Sequence, residues 1–235
     1  MGDGQPCLIV AELGLNHDGR PGRAETLIHA AASAGADAVK FQKRNIEKVY
    51  SKAELDSPLE SPWGTTFREQ KAAREFNRDQ FNQIDAYCKE LNIDWFMSAW
   101  DLDSLEFAES YNPKFHKVAS AQLTNQSLLE KINSFRPRSS EPYVILSTGM
   151  STEKQIETAI GILGENLHTV MHCTSTYPTQ PHEMNMSYIE ALRDLTPPWA
   201  HVGFSNHYSG LLWVPIAVTL GARVLEFHIT LDRTM

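Results

Sequence analysis

His201-Val-Gly-Phe-Ser-Asn-His207 and Val224-Leu-Glu-Phe-His228-Ile-Thr230 are two short apolar runs near the end of the chain, each with a histidine at its polar end. Their β-branched and aromatic content, bounded by polar turns, predicts two successive strands. If those strands are parallel neighbours, both imidazoles emerge at the same edge of one sheet, where neutral ring nitrogens could share a divalent metal. Working outward, runs of the same kind recur at 8–14, 38–42, 94–100, 115–120, 143–149 and 169–174. Amphipathic helices alternate with them: 23–34 puts Ala24, Leu27, Ile28, Ala31 and Ala34 on one face, and 78–91 does so with Phe81, Ile84, Cys88 and Leu91. Thr152 and Gln155 have the spacing of a capping box, while Gly35 and Gly164 suit helix C-termini.

Eight β/α units in succession predict an α/β chain folded as a (β/α)8 TIM barrel, a single domain over 1–235. No early Gly-x-Gly-x-x-Gly turn supports a dinucleotide-binding sheet instead. Residues 43–77 exceed an ordinary βα connection and read as a long loop or lid over the barrel mouth. The last helix of the barrel is missing after the eighth strand. The apolar strip this leaves implies a truncated chain, a further tail or cover by a partner chain, and a homodimer is expected.

The 235 residues carry a net charge of -8, which argues against non-specific nucleic-acid binding because a phosphate backbone needs a basic footprint. No stretch has the length or the basic leader of a membrane span or signal peptide, so a cytoplasmic protein is expected. Cys7, Cys88 and Cys173 are widely spaced and form no Cys-x-x-Cys pair; reduced, buried thiols are expected.

The C-terminal strand ends of a barrel converge on one mouth. Glu12, Asn16, His17, Lys40, Gln42, Ser98 and Asp101 fall there from the first three strands. Lys117, Ser120, Gln122, Ser147 and Thr148 follow, then His172, Thr174, Ser175, Tyr177, Ser205, His207 and His228. Lysines with hydroxyls suit a phosphate, and paired imidazoles suit a metal that polarises a carbonyl. Structural roles compete with these. Glu12 in an apolar run needs a cation, with a lysine as the obvious partner, and Lys40 and Lys117 need anions. Asp101 reads as a helix N-cap and His17 as a shaper of the first βα loop. Trp63 and Phe67 either close over substrate or pin the long loop.

Seven motifs in this order resemble the sialic acid synthase family, barrel enzymes that condense phosphoenolpyruvate with an N-acetylated sugar aldehyde. They are Ala11-Glu-Leu-Gly-Leu-Asn-His17, Gly35-Ala-Asp-Ala-Val-Lys-Phe-Gln42, Lys117-Val-Ala-Ser120, Ser147-Thr-Gly-Met150, His172-Cys-Thr-Ser-Thr-Tyr-Pro178, Gly203-Phe-Ser-Asn-His207 and Glu226-Phe-His-Ile-Thr-Leu-Asp232. The resemblance implies manganese or magnesium held by His207 and His228, polarising the aldehyde of open-chain N-acetylmannosamine for attack by C3 of phosphoenolpyruvate. Water then adds at C2 and phosphate leaves. It further implies that Lys40, Ser98, Lys117, Ser120, Ser147 and Ser205 grip phosphoenolpyruvate, that Gln42 and Tyr177 line the sugar site, and that Glu12 faces sugar and metal. Gln122 stands where the family has an acidic residue, and Ser175 where asparagine is common. No counterpart of the antifreeze-like C-terminal domain of bacterial members is expected within these 235 residues. Two alternatives remain open: a legionaminic or pseudaminic acid synthase acting on a diacetamido hexose, and a non-catalytic barrel that binds phosphoenolpyruvate.

Overall fold

The computed structural model describes residues 4–135 and 143–233. Eight parallel strands close into a barrel: β1 (Leu8–Gly14), β2 (Ala38–Lys43), β5 (Asp94–Ala99), β6 (His116–Val118), β7 (Val144–Ser147), β8 (Leu167–Cys173), β9 (His201–Asn206) and β10 (Val224–His228), with β10 pairing back onto β1. This is the expected TIM barrel. Glu12 aligns with His228 across the closing seam and with Lys40 on the other side, so the alternation of side chains brings all three inward at one level.

Around the barrel lie α1 (Pro21–Ser33), α5 (Arg78–Glu90), α6 (Leu102–Glu109), α7 (Gln126–Asn133), α8 (Glu153–Leu163), α9 (Tyr188–Leu195) and α10 (Trp213–Thr219). Helix α1 starts two residues before the expected 23 because Pro21 occupies its first turn, where a missing N–H costs nothing. It buries Ala24, Leu27, Ile28 and Ala31, as its periodicity requires. Helix α5 buries Phe81, Ile84 and Cys88, and α8 opens on the Thr152/Gln155 capping box. Asp101 caps α6 by accepting from Ser104 N at 2.9 Å, and its other oxygen accepts from Asn45 N at 2.7 Å. Among the described residues no helix follows β10, and none is long and apolar enough to cross a membrane.

The barrel floor is an apolar plug of Leu8, Val10, Ala38, Phe96, Phe115, Ile145, Met171 and Val224, each worth about 1.5–3 kcal/mol of burial for the larger side chains. Cys88 and Cys173 are free and buried; Cys7, also free, is half-buried and lies 3.5 Å from Ala222 O.

Segment 43–77 is not a structureless loop. It contains short helices α2 (Ile46–Val49), α3 (Lys52–Leu55) and α4 (Phe67–Ala72), and a hairpin of β3 (Pro58–Ser61) with β4 (Gly64–Thr66). Phe76 fixes its far end, with its ring 4.1 Å from that of His17 and 5.7 Å from that of Phe81. Trp63 and Phe67 pack within this excursion, under Arg74 at 4.9 Å and against Tyr50 at 5.1 Å.

Candidate active site

Immediately above the plug, β1, β2 and β10 turn charged side chains into the barrel. Lys40 Nζ lies 3.2 Å from Glu12 Oε2 and 3.2 Å from Glu226 Oε1, and donates to Ser98 Oγ at 3.0 Å. All three ionised groups are nearly sealed from solvent, with exposures of 3–5%. Burial opposes the charge on Lys40, yet the two carboxylates outweigh it and hold its pKa above the ordinary value. Burial likewise acts against ionised Glu226, but Lys40 and then Lys117 overcome it and depress its pKa. Ser205 Oγ donates to Glu226 Oε1 at 3.1 Å, while Glu226 Oε2 is buried with no hydrogen-bond partner.

Lys117 is placed differently. Its Nζ donates to Ser147 Oγ at 2.6 Å and Val118 O at 3.0 Å, with no carboxylate in ion-pair contact among the described residues. Burial pushes its pKa down to about 8; Glu226 restores part of the shift and Lys40 adds to it. Lys40 is therefore neutralised from within the protein, whereas Lys117 is a buried cation still available to a ligand anion.

A cavity of about 160 Å³ opens over these groups. Glu12, Lys40, Gln42, Ser98, Lys117 and Ser120 line it, as do Ser147, Ser175, Tyr177, Ser205, His207 and His228. None of its lining comes from 43–77. Gln122, expected to bind substrate, is not brought there, and of the residues read at the strand ends Asn16, His17, Asp101, Thr148, His172 and Thr174 also lie outside the lining. The strand expected to run to 120 stops at Val118, and a 3-10 turn over Ser120–Gln122 redirects the chain. Gln122 Oε1 instead accepts from Asn125 Nδ2 at 2.8 Å. Sequence reasoning missed Glu226, although it sits two residues before His228 and so on the same strand face. Cys173, Met150 and Trp100 also line the cavity without having been expected.

Backbone geometry holds the serines close. Gly149 N donates to Ser120 Oγ at 3.1 Å, and a Cβ on Gly149 would sit 2.3 Å from Ser175 Oγ, so any larger residue there would displace the serine hydroxyls. Outside the cavity, His172 is a core residue whose Nε2 donates to Met184 O at 2.8 Å. His17 Nδ1 accepts from Gly19 N at 3.1 Å, shaping the first βα loop as expected; burial lowers its pKa to about 4.

At the upper rim the rings of His207 and His228 lie 5.7 Å apart. His207 Nδ1 donates to Thr174 O at 2.6 Å, which fixes the tautomer and leaves Nε2 as an acceptor facing the cavity. Tyr177 Oη donates to that Nε2 at 3.0 Å. Burial, offset in part by the Thr174 carbonyl, lowers the His207 pKa to about 4, so the ring is a neutral donor of its lone pair at neutral pH. The pair fits two nitrogen ligands to one divalent ion. Among the described residues no cluster of three or more His, Cys, Asp or Glu forms a complete cage, so other ligands would have to fill the shell.

Comparison with known proteins gives a consistent set of likenesses. The sequence profile of the NeuB family matches residues 27–235. N-acetylneuraminate-9-phosphate synthase of Drosophila melanogaster is 39% identical over 96% of the chain, and N,N'-diacetyllegionaminic acid synthase of Campylobacter jejuni is 32% identical over 97%. The chain spans 60% of the fly protein's length and 69% of the Campylobacter protein's. The crystal structure of N-acetylneuraminic acid (sialic acid) synthetase from Leptospira borgpetersenii, in complex with citrate, superposes with a TM-score of 0.84 at 30% identity, over 98% of this chain and 75% of that one.

Proposed function

We propose, from the premise that this chain belongs to the NeuB family, that its barrel mouth condenses phosphoenolpyruvate with an N-acetylmannosamine-type aldose and releases phosphate. The observation that carries this reading is Lys117, a buried cation with no carboxylate in ion-pair contact among the described residues, set among Ser98, Ser120, Ser147 and Ser205. An anion with several acceptor oxygens is the ligand such a group accommodates. In the reaction, C3 of phosphoenolpyruvate forms a bond to the aldehyde carbon, water adds at C2, and the C–O bond to phosphate breaks. Glu12, accepting from Gln42 Nε2 at 2.9 Å, stands where it can bind sugar hydroxyls or move a proton.

His207 and His228 would hold a divalent metal, manganese or magnesium, and the ion when bound would polarise the aldehyde. The neutral tautomer of His207 and the separation of the two rings support that role. A homodimer and a cytoplasmic location belong to the same proposal. Ile9 and Phe227, on the outer faces of β1 and β10, are only half-buried and are suited to cover by another surface. Light scattering that gives a monomer mass would remove the dimer.

Aldose-dependent phosphate release from phosphoenolpyruvate is the test of function. Release with N-acetylmannosamine or its phosphate ester is expected. The likeness to the legionaminic acid synthase favours a second reading, and turnover with diacetamido hexoses alone would establish it in place of the first.

A further inference from the structure

One loop, the turn after β8, grips His207 at three points. His207 Nδ1 donates to Thr174 O at 2.6 Å, its backbone carbonyl accepts from Thr179 N at 3.1 Å, and its Nε2 accepts from Tyr177 Oη at 3.0 Å. The first two contacts fix the loop on either side of Tyr177, and Thr179 Oγ1 donates to Thr176 O at 2.9 Å within it. The third engages a side chain that is 67% exposed. The phenol ring lies over the His207 imidazole, with ring centres 4.1 Å apart, and stands edge-on to His228 at 6.0 Å. A side chain so exposed, on a backbone so well fixed, can turn away by rotation about its own χ angles alone. Two spaces meet at this ring. The cavity of about 160 Å³ over the ionic layer and a groove of about 340 Å³ running outward past Asn206, Tyr208 and Thr230 share the lining residues Tyr177, His207 and His228. By itself the inner cavity is smaller than an ordinary ligand pocket of about 300–1,000 Å³, although the proposed reaction asks the mouth to hold two substrates.

The imidazole Nε2 has one lone pair, which either accepts the phenolic proton or binds a metal ion. We infer that Tyr177 is a latch on His207: its hydroxyl competes with a divalent metal for Nε2, and the rotation that frees the nitrogen also joins the inner cavity to the outer groove. The inference rests on the metal-binding role proposed above for His207 and His228. Tyr177 makes its hydrogen bond to His207 and stands apart from His228, so the competition falls on His207. Metal and aldose then bind with positive cooperativity. Each requires the same rotation, and whichever binds first has already broken the bond between Tyr177 and His207. Tyr177 is in this respect a positioning residue, acting on the metal through the histidine it holds.

Manganese binding reads the latch without turnover. Titration of the full chain with Mn²⁺, followed by the paramagnetic resonance signal of the free ion, should show Tyr177→Phe binding about twofold to tenfold more tightly than the wild type, the scale of one neutral hydrogen bond. The Phe variant keeps the ring over His207 and removes only the hydroxyl. In calorimetry, Mn²⁺ should strengthen the binding of N-acetylmannosamine by a larger factor in the wild type than in Tyr177→Phe, the two factors differing by the same twofold to tenfold. Unchanged or weaker Mn²⁺ binding by Tyr177→Phe, alongside lost binding by His207→Ala, would overturn the latch and leave the metal site standing. Mn²⁺ binding that His207→Ala leaves intact would remove the metal role of the histidines, and the latch with it. Equal strengthening of sugar binding in wild type and Tyr177→Phe would overturn the shared rotation.

Discussion

Lys40 and Lys117 differ in what surrounds them more than in how deeply they lie. Lys40 is flanked by two carboxylates and supports the barrel; Lys40→Met would leave Glu12 and Glu226 buried without their cation. A loss of about 3–5 kcal/mol in urea unfolding is expected. Lys117→Met should instead leave the fold nearly as stable and weaken phosphoenolpyruvate binding by about tenfold to a hundredfold. Because the ammonium of Lys117 titrates at about 8, affinity for the anion should be full below that pH and fall as pH rises through it. Glu226 has the opposite sign of dependence. Its folded pKa lies below the ordinary 4.5, so its contribution to stability is present above pH 4.5 and lost as pH falls below it. Thermal melts of Glu226→Gln should therefore fall less steeply with acid than those of the wild type, and parallel curves would contradict that assignment.

At the scale of elements, periodicity explains why the barrel could be read from the chain and the excursion could not. Most barrel strands are apolar runs long enough to stand out, the three-residue β6 (His116–Val118) being the exception, and α1 and α5 each repeat their apolar positions over three turns. The helices of the excursion span only four to six residues, too short for any period to show. Their signal is in the caps instead: Ser51 with Glu54, Thr66 with Glu69, and Asn77 with Gln80 ahead of α5, all capping boxes spelled out in the sequence. The mouth residues were legible because they sit at the C-terminal ends of the barrel strands and within motifs that resemble the sialic acid synthase family. Gln122 failed that rule because a 3-10 turn had already replaced the strand, and Glu226 was overlooked between two more conspicuous residues. Two element-level outcomes follow. Thr152→Ala should cost α8 about 1 kcal/mol by loss of its cap, read as a shift in urea midpoint. Phe76→Ala, at 2% exposure, should cost about 3–5 kcal/mol and raise amide exchange across 43–77 ahead of the barrel strands.

On the scale of the whole molecule, the barrel separates support from chemistry by height. The apolar plug supplies stability, the ionic layer above it is balanced between Lys40 and its two carboxylates, and the histidines at the rim face the open cavity. Charge left over from that balance, on Lys117 inside the barrel, lies against the open cavity. The central claim is that Lys117 receives phosphoenolpyruvate. Its most direct test is a calorimetric titration of phosphoenolpyruvate into wild type and Lys117→Met at pH 6.5 and pH 9.5. The account predicts tight binding only for the wild type at the lower pH, with the variant weak at both. Equal affinity of wild type and variant at pH 6.5 would contradict it.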